Sequence, residues 1–177
     1  AKIDVLSADG HKWLLGPEGC GLFYCARSAM ERIRVTELGW TSVINAGDFL
    51  SYDLSLRPDA GRFECGTLNT VGIVGLDAAL ELLLEVGIED IEARILSLTD
   101  LLCEGLTDKG YHIFSSRHPG EKSGIVSFYS PQYDSAALYD ILTNQHIAVA
   151  LRDGRIRVSP HFYNTASEIT QLVEVLP

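Results

Sequence analysis

Two adjacent apolar helical segments, at residues 71–86 and 88–106, constrain the fold most. The first is apolar nearly all round, apart from acids at four-residue spacing: Asp77, Glu81 and Glu85. A helix of this kind is typically buried, with one solvated stripe. The second carries an apolar residue every three or four positions, at Ile88, Ile91, Ile95, Leu98, Leu102 and Leu106. That spacing predicts one continuous apolar seam.

The pattern changes after Gly110. Strand-like runs at 111–115 and 125–129, a helix at 135–144, strands at 147–151 and 155–159 and a final helix follow one another. Thr165 and Glu168 form a capping box before that last helix. We predict a small α+β domain with an antiparallel sheet covered by helices at 110–177, preceded by a larger domain at 1–109.

The first part of the chain opens with strand-like runs at 3–6 and 21–25, and residues 37–62 read as a loop with short elements. There is no initiator Met, and the segment from Ala1 to Leu6 already reads as a strand. We therefore expect the chain to be a piece of a longer protein.

Charge and apolar runs exclude several partner classes. Fourteen Lys and Arg against 24 Asp and Glu give a net charge of −10, which repels phosphate. No apolar run reaches the roughly 20 residues that span a bilayer. We expect a soluble, cytoplasmic protein that binds neither nucleic acid nor membranes. Cys20, Cys25, Cys65 and Cys103 lack zinc-site spacing, so we expect reduced thiols and no metal site.

The densest candidate site is the polar, glycine-rich segment 7–19, which contains His11 and Lys12 before an apolar Trp-Leu-Leu run. Burial of an ammonium is costly, so an apolar setting favours the neutral amine, which can attack a carbonyl and form a Schiff base. From the residues alone, a lysine at an ordinary turn remains the alternative.

Two further segments could bind anions. Asp153-Gly154 predicts a two-residue turn that makes Arg152 and Arg155 cross-strand neighbours, with Arg157 on the same face as Arg155. A carboxylate between these arginines would relieve their repulsion, although arginines of an exposed edge strand could also point into water. Residues 62–70 precede the apolar helix and could bind phosphate or simply cap it.

In this order, the three segments resemble the aminotransferase class V family of pyridoxal-phosphate enzymes, which includes cysteine desulfurases, selenocysteine lyases and isopenicillin-epimerase-like proteins. The motifs are Gly10-His11-Lys12-Trp13, Arg62-Phe63-Glu64 followed by Gly66-Thr67-Leu68-Asn69, and Arg157-Val158-Ser159-Pro160-His161-Phe162-Tyr163-Asn164-Thr165. The resemblance implies an α/β protein of fold type I, here the end of the large cofactor-binding domain followed by the small C-terminal α+β domain.

The resemblance also implies residue roles. Lys12 would form the Schiff base with pyridoxal 5'-phosphate and move the proton at the substrate Cα. His11 would contact the cofactor phosphate, and Arg157 would bind the carboxylate of an amino-acid substrate. Gly66 and Thr67 would reach the phosphate of the partner subunit's cofactor, which implies a homodimer with a shared active site.

The implied reaction is transamination of a small amino acid. A lyase, desulfurase-like or epimerase reaction is the alternative, and so is a non-catalytic dimerisation fragment. Desulfurases of the family carry a persulfide-forming cysteine just ahead of the carboxylate arginine, but no cysteine follows Cys103 here. Asp9 stands where some members have a phosphate-binding serine, so we expect its carboxylate to point elsewhere.

The family's upstream half supplies an aspartate for the pyridine nitrogen, a ring-stacking aromatic residue and a phosphate-binding loop, whereas 11 residues precede Lys12 here. The aspartate matters because the protonated pyridine withdraws charge most effectively. We therefore expect the 177-residue chain to be inactive by itself.

Overall fold

The computed structural model describes residues 2–177, and these form two compact units. One unit ends at Glu85 and the other is Val86–Pro177. Ala1, the first residue of the predicted opening segment, lies outside the described residues.

The first unit is built around a hairpin and one long helix. Strand β1 (Val5–Asp9) pairs antiparallel with β2 (Gly21–Cys25), so that Asp9 lies opposite Gly21. A short helix α1 (Arg27–Met30), a 3-10 turn (Ala60–Phe63) and helix α2 (Thr70–Val86) follow. The stretch between α1 and the 3-10 turn consists of turns with one bridge, Val43 to Leu56. This confirms the predicted loop with short elements.

Helix α2 differs from its prediction. Gly72, Leu76 and Leu83 are buried, but apolar side chains on other faces are exposed, and Val71 keeps 85% of its surface. The reason is geometric: the loop of residues 10–20 packs on one side of the helix only. There a Cβ at Gly72 would lie 2.9 Å from the Cβ of Cys20. The expectation of a helix buried except for one stripe is therefore wrong for this chain.

The second unit is a four-stranded antiparallel sheet with three helices. Strands β3 (His112–Ile113), β4 (Val126–Tyr129), β5 (Ala150–Arg152) and β6 (Arg155–Val158) lie in the order β3-β4-β6-β5. The helices are α3 (Ile88–Asp108), α4 (Ser135–Asn144) and α5 (Ala166–Val175). The predicted α+β arrangement is confirmed, and so is the capping box of Thr165 and Glu168.

The core of this unit lies between the sheet and the helices. Val126, Phe128, Ile156 and Val158 point inward from β4 and β6, because alternate strand residues share a face. They meet Leu98, Leu102 and Leu106 of α3, Leu138 and Leu142 of α4, and Ile169 and Leu172 of α5. Full burial of each large apolar side chain stabilises the fold by about 1.5–3 kcal/mol. The predicted seam of α3 is thus the helix's buried face.

Helix α3 packs with the C-terminal elements of the chain. Its buried leucines belong to the same core as α5, within Val86–Pro177. The predicted domain boundary between residues 109 and 110 stays a prediction, because compactness does not test which segments fold independently. None of the helices in residues 2–177 combines the length and the low charge needed to cross a membrane.

An ion-pair network fastens the β3–β4 loop to α3. The Nζ of Lys122 donates to both carboxylate oxygens of Asp100 at 2.8 Å, and Nη2 of Arg117 donates to Oδ1 at 2.5 Å. The same Nη2 donates to the hydroxyl of Thr99, which is fully buried. Hydrogen bonds from Lys122 and then Arg117 lower the pKa of Asp100 below its ordinary value of 3.8.

We predict that Asp100→Asn destabilises the protein near neutral pH by about 1 kcal/mol or less, since the Asp100 side chain is 40% exposed and solvent screens the pair. Because folding lowers the pKa of Asp100, its contribution is complete above 3.8 and is lost as the pH falls through the folded-state pKa. Urea unfolding of both proteins, at neutral pH and at a pH below the folded-state pKa of Asp100, measures the difference in their free energies of unfolding.

Glu104→Gln, an exposed acid on the same helix, is the control and should show no such pH dependence. An Asp100→Asn effect of equal size in acid and at neutral pH would show that the ion pairs are not its cause.

Candidate active site

The loop of residues 10–20, here the lysine loop, is closed by backbone contacts. The N–H of Gly10 donates to the carbonyl of Cys20 at 3.0 Å, and the N–H of Gly16 donates to the carbonyl of Gly10 at 2.8 Å. A Cβ at Gly10 would lie 2.5 Å from the Cys20 oxygen, so only glycine permits this closure. The residues between these contacts, His11 and Lys12 among them, are presented on a turn of defined shape.

Lys12 lies at the exposed part of the lysine loop. Its side chain keeps 69% of its surface, and its ammonium donates to the carboxylate of Asp9. Of the two interpretations that the sequence left open, a desolvated amine and a lysine at an ordinary turn, this exposure favours the turn within residues 2–177.

Asp9 ends β1 and faces Lys12. The hydrogen bond from Lys12, followed by its positive charge, lowers the pKa of the Asp9 carboxyl. The expectation that this carboxylate points away from a bound phosphate stays a prediction. The Lys12 ammonium lies beside the Asp9 carboxylate, so its positive charge offsets the repulsion that this carboxylate would exert on a phosphate.

Asn69 connects the lysine loop to the second motif. Its Nδ2 donates to the carbonyl of Gly19 at 3.1 Å, while its Oδ1 accepts from the N–H of Gly72 at 3.0 Å. Asn69 therefore caps α2 and fastens the lysine loop at the same time. The sequence left open whether residues 62–70 bind phosphate or cap the helix, and it did not single out Asn69, although asparagine before a helix is a strong N-cap signal.

Hydrogen bonds to the backbone of Glu64 fix the segment that contains Gly66 and Thr67. The hydroxyls of Thr41 and Ser42 donate to the carbonyl of Glu64 at 2.7 and 2.8 Å, and Ser42 is fully buried. Within residues 2–177, the exposed Thr67 hydroxyl has no hydrogen-bond partner. It is therefore available to donate to an anion.

The arginine hairpin has the predicted geometry. Asp153 and Gly154 have positive φ values of 46° and 70°, as a two-residue hairpin turn requires, and Arg152 lies opposite Arg155. The guanidinium of Arg155 lies 3.7 Å from the ring centroid of Phe114, an attractive cation–π contact. Arg155 thus has a partner that sequence reasoning missed, since residues 114 and 155 meet only through the sheet.

Arg157 is different. It lies on β6 between Ala150 and Ser127 of the neighbouring strands, on the face opposite the buried Ile156. Its Nε is buried and has no hydrogen-bond partner within residues 2–177. A buried donor without an acceptor costs about 1–3 kcal/mol, so this group favours an anionic ligand.

These residues fit pyridoxal phosphate by their chemistry. Lys12 offers an amine on a constrained loop, Thr67 a free hydroxyl donor, and Arg157 a buried donor suited to a carboxylate. His11, Lys12, Gly66 and Thr67 belong to the unit that ends at Glu85, and Arg157 belongs to the other unit. Residues 2–177 contain no cluster of His, Cys, Asp and Glu able to hold a metal ion.

Comparisons with known proteins identify relatives for the whole chain. The probable cysteine desulfurase of Pyrococcus abyssi is 28% identical over 188 residues, covering 99% of this chain and 46% of that protein. The structure of the cystine C-S lyase C-DES with its product cysteine persulfide has a TM-score of 0.84 at 26% identity, over 98% of this chain and 46% of that one. A second C-DES structure, with glycine covalently linked to its PLP cofactor, gives 0.84 at 25% identity, over 98% and 45%.

The chain thus spans about half the length of the relatives it matches. The structural similarity confirms fold type I as the fold to which these two units belong. The sequence profile described as Aminotransferase class-V matches residues 1–172. This profile and the related structures indicate pyridoxal phosphate as the cofactor, and the chain belongs to the aminotransferase class-V family.

Proposed function

We propose that the protein containing this chain is a pyridoxal-phosphate enzyme that transaminates a small amino acid. One observation carries the proposal: Lys12 stands on a loop whose shape depends on Gly10, in a chain of the class-V family. When bound, the cofactor supplies an aldehyde and withdraws electrons from the substrate Cα.

Lys12 has two tasks in this proposal. Its amine would hold the cofactor covalently, and the free amine would move the proton at the substrate Cα. Asp9 lies within hydrogen-bond reach and can hold the ammonium of Lys12 in place. His11, next to Lys12 on the same turn, would contact the cofactor phosphate.

Gly66 and Thr67 would bind the phosphate of a second subunit's cofactor. The free hydroxyl of Thr67 and the firm attachment of residue 64 to Thr41 and Ser42 support this role. The proposal therefore includes a homodimer with a shared site. A cytoplasmic location remains a prediction, and so does the inactivity of the 177-residue chain alone.

Arg157 would bind the substrate carboxylate. Its buried Nε lacks an acceptor within residues 2–177, and Arg155 is already engaged by Phe114. A carboxylate can accept two parallel hydrogen bonds from one guanidinium, which fixes orientation as well as position.

A carbon–sulfur lyase is the second candidate, supported by the names of the relatives. It would share Lys12, Arg157 and the cofactor, and would differ in the bond that breaks. A sulfur relay through a cysteine ahead of Arg157 finds no support, since the chain has no cysteine after Cys103. A non-catalytic dimerisation role is disfavoured by the presence of both Lys12 and Arg157.

We expect the full-length protein to convert its cofactor to the amine form when mixed with an amino donor such as L-alanine, with pyruvate as the product. Absorption spectroscopy and keto-acid detection measure this. Lys12→Ala should lower the rate by roughly 10²–10⁴-fold, the usual contribution of a positioned acid–base group. The control is Lys2→Ala, which removes an exposed lysine that precedes β1 and lies outside the lysine loop.

Release of sulfide or another β-substituent without the amine form would favour the lyase candidate. Absence of both products with every amino acid tested, in a cofactor-loaded protein, would contradict an enzymatic function.

We predict that Arg157→Ala raises KM for the amino acid by roughly 10- to 100-fold and leaves cofactor binding unchanged, because a charge-assisted hydrogen bond contributes about 1.5–3 kcal/mol. Steady-state kinetics and cofactor titration measure the two quantities separately. Arg157→Lys should recover part of the loss, since it restores the charge but not the fork.

Arg152→Ala, in the same hairpin but exposed, should leave KM unchanged. An unchanged KM in Arg157→Ala would mean that another group binds the carboxylate.

A further inference from the structure

Ser127 and Arg157 lie side by side on the face of the sheet opposite the core. The register of β4 with β6 places the Cα of Ser127 opposite that of Arg157. Val126 and Phe128, on either side of Ser127, are fully buried in the core, so Ser127 points to the other face. Both side chains are half-buried. The hydroxyl and the guanidinium therefore extend from adjacent strands on the same side of the sheet.

The backbone of Ser127 shows that this cross-strand pair is a close one. Its N–H donates to the hydroxyl of Ser115 at 2.8 Å, and its carbonyl accepts from the N–H of Phe114 at 2.8 Å. Both partners directly follow β3, so the backbone groups of Ser127 point away from β6. In an antiparallel ladder, facing residues that exchange no backbone hydrogen bonds have Cα atoms about 4.5 Å apart, closer than hydrogen-bonded pairs. Ser127 is therefore within reach of a small ligand bound by Arg157.

These two side chains have donors without acceptors. The Nε of Arg157 is buried without a hydrogen-bond partner, and the hydroxyl of Ser127 has none either within residues 2–177. Ala150, the other cross-strand neighbour of Arg157, has no polar side chain. Strands β3 to β6 contain three arginines and no Asp or Glu. The sheet thus supplies two neighbouring donors and no acidic acceptor for them.

We propose that Ser127 binds the substrate carboxylate together with Arg157. This inference rests on the proposed role of Arg157 and adds a second donor to it. A carboxylate has two oxygens with about four acceptor positions, so it can accept two parallel hydrogen bonds from the guanidinium and a further one from a hydroxyl. The hydroxyl approaches from the β4 side only, which favours one orientation of the carboxylate. The pair selects amino acids with a free carboxylate over their uncharged amides.

Propionate tests this inference on the full-length, cofactor-loaded protein. It has no amino group and cannot be transaminated, so its binding reports on the carboxylate site independently of the reaction. In protein with ¹⁵N-labelled arginine, the Nε–H signal absent from Arg157→Lys identifies Arg157. This signal should shift saturably with propionate and stay in place with propionamide, the uncharged analogue. Ser127→Ala should raise the Kd for propionate by roughly tenfold, since it removes one hydrogen bond to a charged group.

Two further variants separate the hydroxyl from a general effect on the sheet. Ser127→Thr keeps the hydroxyl on a side chain that suits a strand, and it should keep most of the propionate affinity. Ser97→Ala, which removes an exposed hydroxyl from α3, is the matched control and should have no effect. Equal propionate affinity in Ser127→Ala and the unmodified protein would overturn the inference. An equal loss in Ser127→Thr and Ser127→Ala would also overturn it, because the hydroxyl would then not be the cause.

The same measurements distinguish this inference from the proposed reaction. A protein that binds propionate through Ser127 but does not transaminate L-alanine would contradict transamination and support the shared carboxylate site. Transamination of L-alanine without any propionate-induced shift of the Arg157 signal would support the reaction and overturn the role of Ser127.

Discussion

The close approach of Gly10 to the carbonyl of Cys20 is the constraint on which the candidate site depends. Without a side chain at position 10, β1 can turn sharply away from β2 and return through residues 16–20, which pack against α2. The turn that results presents His11 and Lys12 together. Asn69 secures the far end of this loop and begins α2 with the same side chain. Placement of the amine thus follows from one glycine and one asparagine rather than from burial of the lysine.

The three cationic side chains at or near the candidate site differ in their partners. The Lys12 ammonium is paired with Asp9, Arg155 is engaged by Phe114, and Arg157 keeps a buried donor without an acceptor among residues 2–177. The first pairing neutralises an acid that would repel phosphate, and the second leaves Arg157 as the group suited to a substrate carboxylate.

Local chemistry made much of this structure predictable. The seam of α3, the Asp153-Gly154 turn and the Thr165 capping box depend on short-range patterns, and the structure confirms each. Contacts between distant residues were missed: Asn69 with Gly19, Arg155 with Phe114, and the rings of Trp40 and Phe49. The error concerns the burial of α2, because burial depends on which other layers cover a residue and not on its neighbours in sequence. The family and its cofactor were recognisable from three motifs in order. The roles of the individual residues, namely His11, Lys12, Gly66, Thr67 and Arg157, remain proposals.

The central claim is that the amine of Lys12 holds the cofactor covalently. Borohydride reduction of the cofactor-loaded, full-length protein, followed by proteolysis and mass spectrometry of the peptides, tests it most directly. We expect a pyridoxyl group on Lys12 and on no other lysine. A reduced cofactor found on a different lysine, or recovered entirely free, would contradict it.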